Sequence, residues 1–385
     1  MRLAQHQRTY LCFFLFAVSL GALLARMPDL QTALGVTKSE LGLTLIGMAI
    51  GALVALTFSS PLIERLGLRL TAFITILGTA ACYALVPWMP NALLVFAVLF
   101  VAGLLAGALE INLNVELGRI ETRTGRAVMN RAHGFWSMGF FVTALLASFI
   151  RQAGVSIEAH TGGALAIVLL VGLIVISGMR PTPMPAEASA AKSGAFAFPT
   201  LGLLPLCLIG IAAFLIEGAG IDWSAIYMRD VYQSEPFIGG LGLTLFTFFM
   251  ALVRLVADPI VDRYGSRAVA FSLLLLSAAG IAAVWLSLHP AMALLGFAMM
   301  GAGCSAVYPL AVSAAAQRSD RAAHVNVAAL GQVTFIIFFL APPLLGFVAE
   351  HAGIRMAYFT CLPLVIAALF CVPTLSGRVE RQPRA

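Results

Sequence analysis

Pro61-Leu-Ile-Glu-Arg-Leu-Gly-Leu-Arg69 is a short charged stretch between two long apolar runs, and it returns 198 residues later as Pro259-Ile-Val-Asp-Arg-Tyr-Gly-Ser-Arg267. Five features recur at that offset: Pro61 and Pro259, the acids Glu64 and Asp262, Arg65 and Arg263, Gly67 and Gly265, and Arg69 and Arg267. Upstream, Leu41-Gly-Leu-Thr-Leu45 returns unchanged as Leu241-Gly-Leu-Thr-Leu245. A charged turn that occurs twice, each time after the same apolar run, marks a chain built from two related units. The units are placed at 1–178 and 200–385, with a linker at 179–199.

The chain is 61% hydrophobic and only 10% charged, whereas a soluble chain carries about 25% charged residues. Lipid is therefore the solvent for most of its surface. A spanning helix needs roughly 20 mostly apolar residues. Twelve such runs lie near 10–28, 40–60, 70–89, 92–117, 128–150, 162–179, 200–228, 237–257, 268–288, 291–315, 324–348 and 355–374. The expected fold is an all-α membrane protein of twelve transmembrane helices in two six-helix, pseudo-symmetric halves.

A net charge of +6 invites a nucleic-acid reading, but its distribution excludes one. Of the 23 Lys and Arg, 17 fall on one set of loops: the N-terminus, the turns after the even-numbered helices, and the C-terminal tail with Arg378, Arg381 and Arg384. Excess Lys and Arg mark the cytoplasmic side, so both termini are expected inside, in a multi-pass inner-membrane protein. Arg2 and Arg8 before an apolar run mimic a secretory signal, but cleavage would delete the first helix of a repeated unit. The linker, with Pro181, Pro183, Pro185, Pro199 and Lys192, reads as a cytoplasmic tether. The six cysteines all lie in apolar runs without metal-ligand spacing and read as small packing residues. Phosphate-loop and zinc-protease motifs are absent, so neither a cofactor nor a metal is expected.

A Gly-x-x-x-Asp-Arg-x-Gly-x-Arg turn between the second and third helices, repeated between the eighth and ninth, is the signature that this chain resembles: that of the major facilitator superfamily. Ser60 and Asp258 stand at the usual glycine positions, and Glu64 replaces the usual Asp. The resemblance implies that Glu64, Arg65, Gly67, Arg69, Asp262, Arg263, Gly265 and Arg267 form a conformational latch at the cytoplasmic helix ends and do not touch substrate.

Ionisable side chains at bilayer depth are expensive unless paired or wetted, which makes each a functional candidate. The fourth helix carries Glu110, Asn112, Asn114 and Glu116, with Glu110 and Asn114 one turn apart on one face. Glu116 reads as a solvated cytoplasmic end. The repeat offset pairs Glu110 with Tyr308, so both are expected to face the central space. The fifth helix opens Met129-Asn-Arg-Ala-His-Gly-Phe-Trp136. There His133 is either a proton shuttle or an interfacial histidine, Arg131 reads as an anchor, and Asn130 is a polar position at the depth of Glu110. This region resembles the fucose-proton symporter branch, in which a glutamate shortly before a Leu-Asn pair carries the proton. Glu110-Ile-Asn-Leu-Asn114 matches that pattern, but that branch's partner acid on the first helix is not evident here.

The seventh helix carries Glu217-Gly-Ala-Gly-Ile-Asp-Trp-Ser-Ala-Ile-Tyr227. Glu217 and Asp222 lie roughly 140° apart on an ideal helix, so both reach one cavity only if Gly218 and Gly220 break it. Trp223 and Tyr227 form an aromatic pair, either on the substrate wall or in an interfacial belt. The phrase resembles the rhizopine-transport-like, MosC-like group of the superfamily. Arg26 is a candidate for an anionic group, for pairing with Asp222 or Glu217, or for anchoring. Arg254 and Asp258 read as an interfacial pair.

These features point to a monomeric secondary transporter that moves a small polar solute, sugar-like or a related organic compound, by alternating access with protons. Efflux of drugs or metabolites is the alternative, although Leu99 stands where drug-proton antiporters carry an arginine and no proline follows Asn130 in the fifth helix. An intramembrane enzyme or a sensor lacks a catalytic constellation or an output domain. A cysteine at Lys192 should be labelled only after the membrane is permeabilised; labelling from outside intact cells would overturn the orientation.

Overall fold

The computed structural model describes residues 3–124, 128–182, 198–321 and 323–375, and the regular elements among them are helical. Lys192, Arg2 and the tail arginines Arg378, Arg381 and Arg384 lie outside the described residues, as does the side chain of Asn130. In chain order the helices are α1 (Gln5–Leu24), α2 (Met27–Leu34), α3 (Lys38–Phe58), α4 (Ser60–Leu85), α5 (Ala92–Thr124), α6 (Met129–Gln152), α7 (Ile157–Ser177), α8 (Leu204–Tyr232), α9 (Pro236–Tyr264), α10 (Ser266–Leu286), α11 (Pro290–Cys304), α12 (Val307–Ala316), α13 (Ala323–His351), α14 (Ile354–Phe359) and α15 (Cys361–Cys371). Twelve segments are long and apolar enough to cross a membrane: α1, α3 to α10, the pair α11–α12, α13, and the pair α14–α15.

Close packing comes from glycines that let backbones touch. A Cβ at Gly51 of α3 would stand 2.0 Å from Phe100 O of α5, and one at Gly103 of α5 would stand 2.0 Å from Met48 O of α3. The second unit repeats the device: a Cβ at Gly301 of α11 would stand 2.0 Å from Phe246 O of α9. Without a hydrophobic drive between helices in lipid, such contacts are what hold neighbours together. The six cysteines are free, as their spacing implies.

The two charged turns share one geometry. Gly67 has φ 74° and ψ 167°, and Gly265 has φ 85° and ψ 154°. Side chains are excluded from that region, so the repeated glycine is a backbone requirement of the turn.

The expected tenth helix is broken. Pro309 has no N–H for the carbonyl of Ser305, four residues earlier, and Gly301 and Gly303 weaken the preceding turn. The chain turns at Ser305 and Ala306 between α11 and α12. Pro28 stands in the same relation to Leu24, where α1 gives way to α2. The seventh span behaves in the opposite way. Despite Gly218 and Gly220, α8 is continuous from Leu204 to Tyr232, so the condition under which Glu217 and Asp222 would reach one cavity is not met.

Glu116 is also corrected. It is fully buried, not a solvated end. Its carboxylate accepts hydrogen bonds from Thr182 Oγ1 at 2.6 Å, Thr182 N at 3.1 Å and Gln5 Nε2 at 3.1 Å. The start of the second unit is fastened in a similar way. Thr200 Oγ1 donates to Asp320 Oδ2 at 2.9 Å, and Arg321 Nη1 donates to Phe198 O at 2.8 Å. Hydrogen bonds from Arg318 and then Asn326 hold the Asp320 carboxyl well below the usual range, so this fastening is ionised at neutral pH.

Gly103→Val should destabilise the protein by at least about 1–3 kcal/mol through overpacking, read as a lower unfolding temperature in detergent. Gly163→Ala, where an added Cβ meets nothing within 4 Å, should leave that temperature nearly unchanged.

Candidate functional site

Glu110 lies 14 residues before the end of α5 at Thr124, about 21 Å of helix rise from the charged-turn end of the bundle. With Ile111, Asn114 and Val115, and with Leu56 of α3 and Phe335 of α13, it lines a cavity of about 450 Å³ shared by both units. Asn114 Oδ1 is buried with no partner among the described residues, which leaves it available to a bound molecule. Tyr308, at the start of α12, is within electrostatic reach of Glu110, and its hydroxyl lies 3.7 Å from where a Cβ at Gly331 of α13 would stand. The Phe214 ring packs 4.4 Å from it, centroid to centroid. The two positions related by the repeat are therefore within electrostatic reach of each other.

A second polar cluster joins α6, α8, α9 and the α11–α12 break, where the sequence suggested only an interfacial arginine. Arg254 lies ten residues before the end of α9 at Tyr264, about 15 Å from the charged-turn end, so it is not an interfacial residue. Its Nη2 contacts Glu217 Oε2 of α8 at 3.2 Å, its Nη1 donates to Ser137 Oγ of α6 at 3.0 Å, and its Nε donates to Ser305 O at 3.0 Å. The carbonyl that Pro309 leaves without an N–H thus receives its hydrogen bond from Arg254. His133, one turn before Ser137 on α6, lies within the electrostatic reach of Arg254 and packs its ring 5.1 Å from that of Phe13. The signal that was missed is a lone arginine ten residues inside a span, combined with a serine–proline spacing of four in a neighbouring span.

On the continuous α8, Glu217 and Asp222 do not share a cavity wall. Glu217 turns towards α9. Asp222 shares a face with Arg229, seven residues on, and Arg229 donates to Pro28 O and Gln31 Oε1 of α2. Trp223 is only 1% exposed and sits against Gly346 of α13, so it belongs to the packing of the second unit and not to a substrate wall or an interfacial belt. Tyr227 is equally buried and donates to Val284 O at 2.6 Å. Arg26 does not reach Glu217. It pairs with Asp29, and its Nη2 donates to Val155 O at 2.9 Å. Asp29 also binds Arg151 Nε at 2.8 Å.

The end of the bundle opposite the charged turns is tied across the two units. Lys38 Nζ meets Asp230 Oδ2 at 3.0 Å, Lys38 N donates to Glu350 Oε2 at 2.9 Å, Arg229 Nη2 donates to Gln31 Oε1 at 2.6 Å, and Phe237 N donates to Gln152 Oε1 at 3.0 Å. At the charged-turn end, Glu64, Arg65, Arg69, Asp262 and Arg263 are exposed. Arg267 Nε donates to Leu375 O at 2.6 Å, and the Arg263 guanidinium lies 5.3 Å from the centre of the Tyr264 ring. Among the described residues no cluster of three His, Cys, Asp or Glu could hold a metal ion.

The model of the Major Facilitator Superfamily matches residues 9–232 and 206–385. The chain is 30% identical over 351 residues to the uncharacterized transporter y4wD of Sinorhizobium fredii, covering 90% of this chain and 92% of that one. It is 27% identical over 350 residues to the membrane protein MosC of Rhizobium meliloti, covering 90% of this chain and 84% of MosC, which agrees with the group resemblance carried by Glu217 to Ser224. Among solved structures, the transporter FucP in its outward conformation superposes with a TM-score of 0.64 at 18% identity, covering 96% of this chain and 97% of FucP. With a repeated charged turn, twelve spans and a cavity shared by two units, the chain belongs to the major facilitator superfamily of transporters.

Proposed function

We propose that this protein is a monomeric inner-membrane transporter that carries a small polar solute by alternating access and couples it to protons at Glu110. The observation that supports this most directly is the position of Glu110, an acid at mid-depth in a cavity bounded by both units. A carboxyl between two bodies that open in turn to water exchanges its proton with whichever side is wet. His133, one turn before Ser137 on α6, is the second titratable group we assign to proton coupling. Asn114 and Tyr308 supply neutral hydrogen-bonding groups for the solute, and Asp222 adds an acid on the helix face it shares with Arg229.

In this reading the charged-turn end faces the cytoplasm, following the arginine and lysine distribution. The ties at the opposite end then close the outer side, and the cavity is reached from within. The latch residues act on the balance between conformations, away from the solute.

A screen of polar solutes in proteoliposomes with an imposed pH gradient identifies the cargo. Glu110→Gln, which mimics the protonated acid permanently, should lower uphill accumulation at least tenfold while preserving solute exchange at equal concentrations. Normal accumulation in that variant would remove Glu110 from the coupling step. Asp262→Asn should slow transport several-fold with solute affinity nearly intact, and loss of binding in the folded variant would refute the latch role.

A further inference from the structure

We infer that Arg254 is the receptor for a carboxylate on the transported solute, and that Glu217 occupies this place when the solute is absent. The inference rests on the transport reading above and adds the chemical class of the cargo.

Two of the three contacts of Arg254 are to neutral groups that do not depend on Glu217. Ser305 O holds Nε at 3.0 Å, and Ser137 Oγ holds Nη1 at 3.0 Å. The first of these is enforced by Pro309, since Ser305 O has no helical N–H to accept. The guanidinium is therefore fixed in position whichever anion balances it. Glu217 is held much more lightly. Among the described residues its one hydrogen bond is the single contact from Nη2 at 3.2 Å.

A guanidinium has five N–H donors, and three are used here. A carboxylate is bound best by two parallel donors, an arrangement the single contact to Glu217 does not reach. The Arg254 side chain is 21% exposed and that of Glu217 is 12% exposed, so the cation is the more accessible member of the pair. A solute carboxylate that displaces Glu217 keeps the charge on Arg254 balanced and gains the second donor. The pair also bridges the units, because Ser137 is on α6 and the other partners are on α8 and the α11–α12 break. An anion held there contacts the seam on which alternating access depends. His133 and Cys304 are the other titratable groups facing this cluster.

The test is direct binding by calorimetry to the purified full chain in detergent, with no pH gradient. The probes are gluconate, glucuronate and lactate, each beside a neutral counterpart: glucose for the sugar acids and 1,2-propanediol for lactate. At least one acid should bind the wild type, bind Glu217→Gln at least tenfold more tightly because the resident competitor is gone, and bind Arg254→Gln at least tenfold more weakly. If Arg254→Gln fails to fold, the double variant Glu217→Gln/Arg254→Gln, which removes both charges, should show the same loss. Neutral compounds that bind as tightly as the acids, undiminished acid binding without Arg254, or no acid binding to either the wild type or Glu217→Gln would overturn the inference. Because this is an equilibrium measurement, its failure is separable from a failure of Glu110 in the accumulation assay.

Discussion

In hydrocarbon a backbone carbonyl without a partner is penalised by several kcal/mol, and much of the centre of this molecule follows from one such carbonyl. Pro309 takes away the N–H that Ser305 O would have used. The helix breaks, and Arg254 supplies the missing donor. That places a cation at mid-depth, which in turn requires an anion, and Glu217 is the acid within reach. Ser137 completes the set from the other unit. A single imino acid thus accounts for a polar cluster drawn from four spans.

Around this cluster the glycine contacts of α3 with α5 and of α9 with α11 make each unit internally tight. Bodies packed in this way move as wholes because their interiors are not continuously deformable. Motion is then directed to the seam, where the contacts are of a different kind. Lys38 with Asp230, Arg229 with Gln31, and the amide of Phe237 with Gln152 are polar and partly exposed. Such contacts are individually weak and can be exchanged for water, whereas a backbone pressed onto a glycine cannot be separated without opening a void.

The twelve spans and the doubled architecture were legible because hydropathy and the repeated charged turn are local signals. The shared conformation of Gly67 and Gly265 was implied by the repeat itself. The repeat also pairs Glu110 with Tyr308, because two-fold pseudo-symmetry converts a sequence offset into an expected spatial relation. What could not be read was direction around and between helices. Arg254 looked interfacial because Asp258, one turn on towards the charged turn, offers a partner in sequence, whereas the partners of Arg254, namely Glu217, Ser137 and Ser305, come from three other spans. Glu116 looked solvated because Thr182, which buries it, is 66 residues away. Trp223 and Asp222 are adjacent in sequence, yet Trp223 packs against Gly346 of α13 while Asp222 lies on the face it shares with Arg229. Only the assembled bundle separates those faces.

The fastenings of Thr182 to Glu116 and of Phe198 to Arg321 have a mechanical meaning. They define where the crossing between the units begins and ends, and 16 residues separate them (198 − 182). Glu116 belongs to α5 and Arg321 to the connection between α12 and α13, so each fastening shares load between the crossing and a second part of its own unit. A pull along the crossing is therefore not borne by α7 or α8 alone.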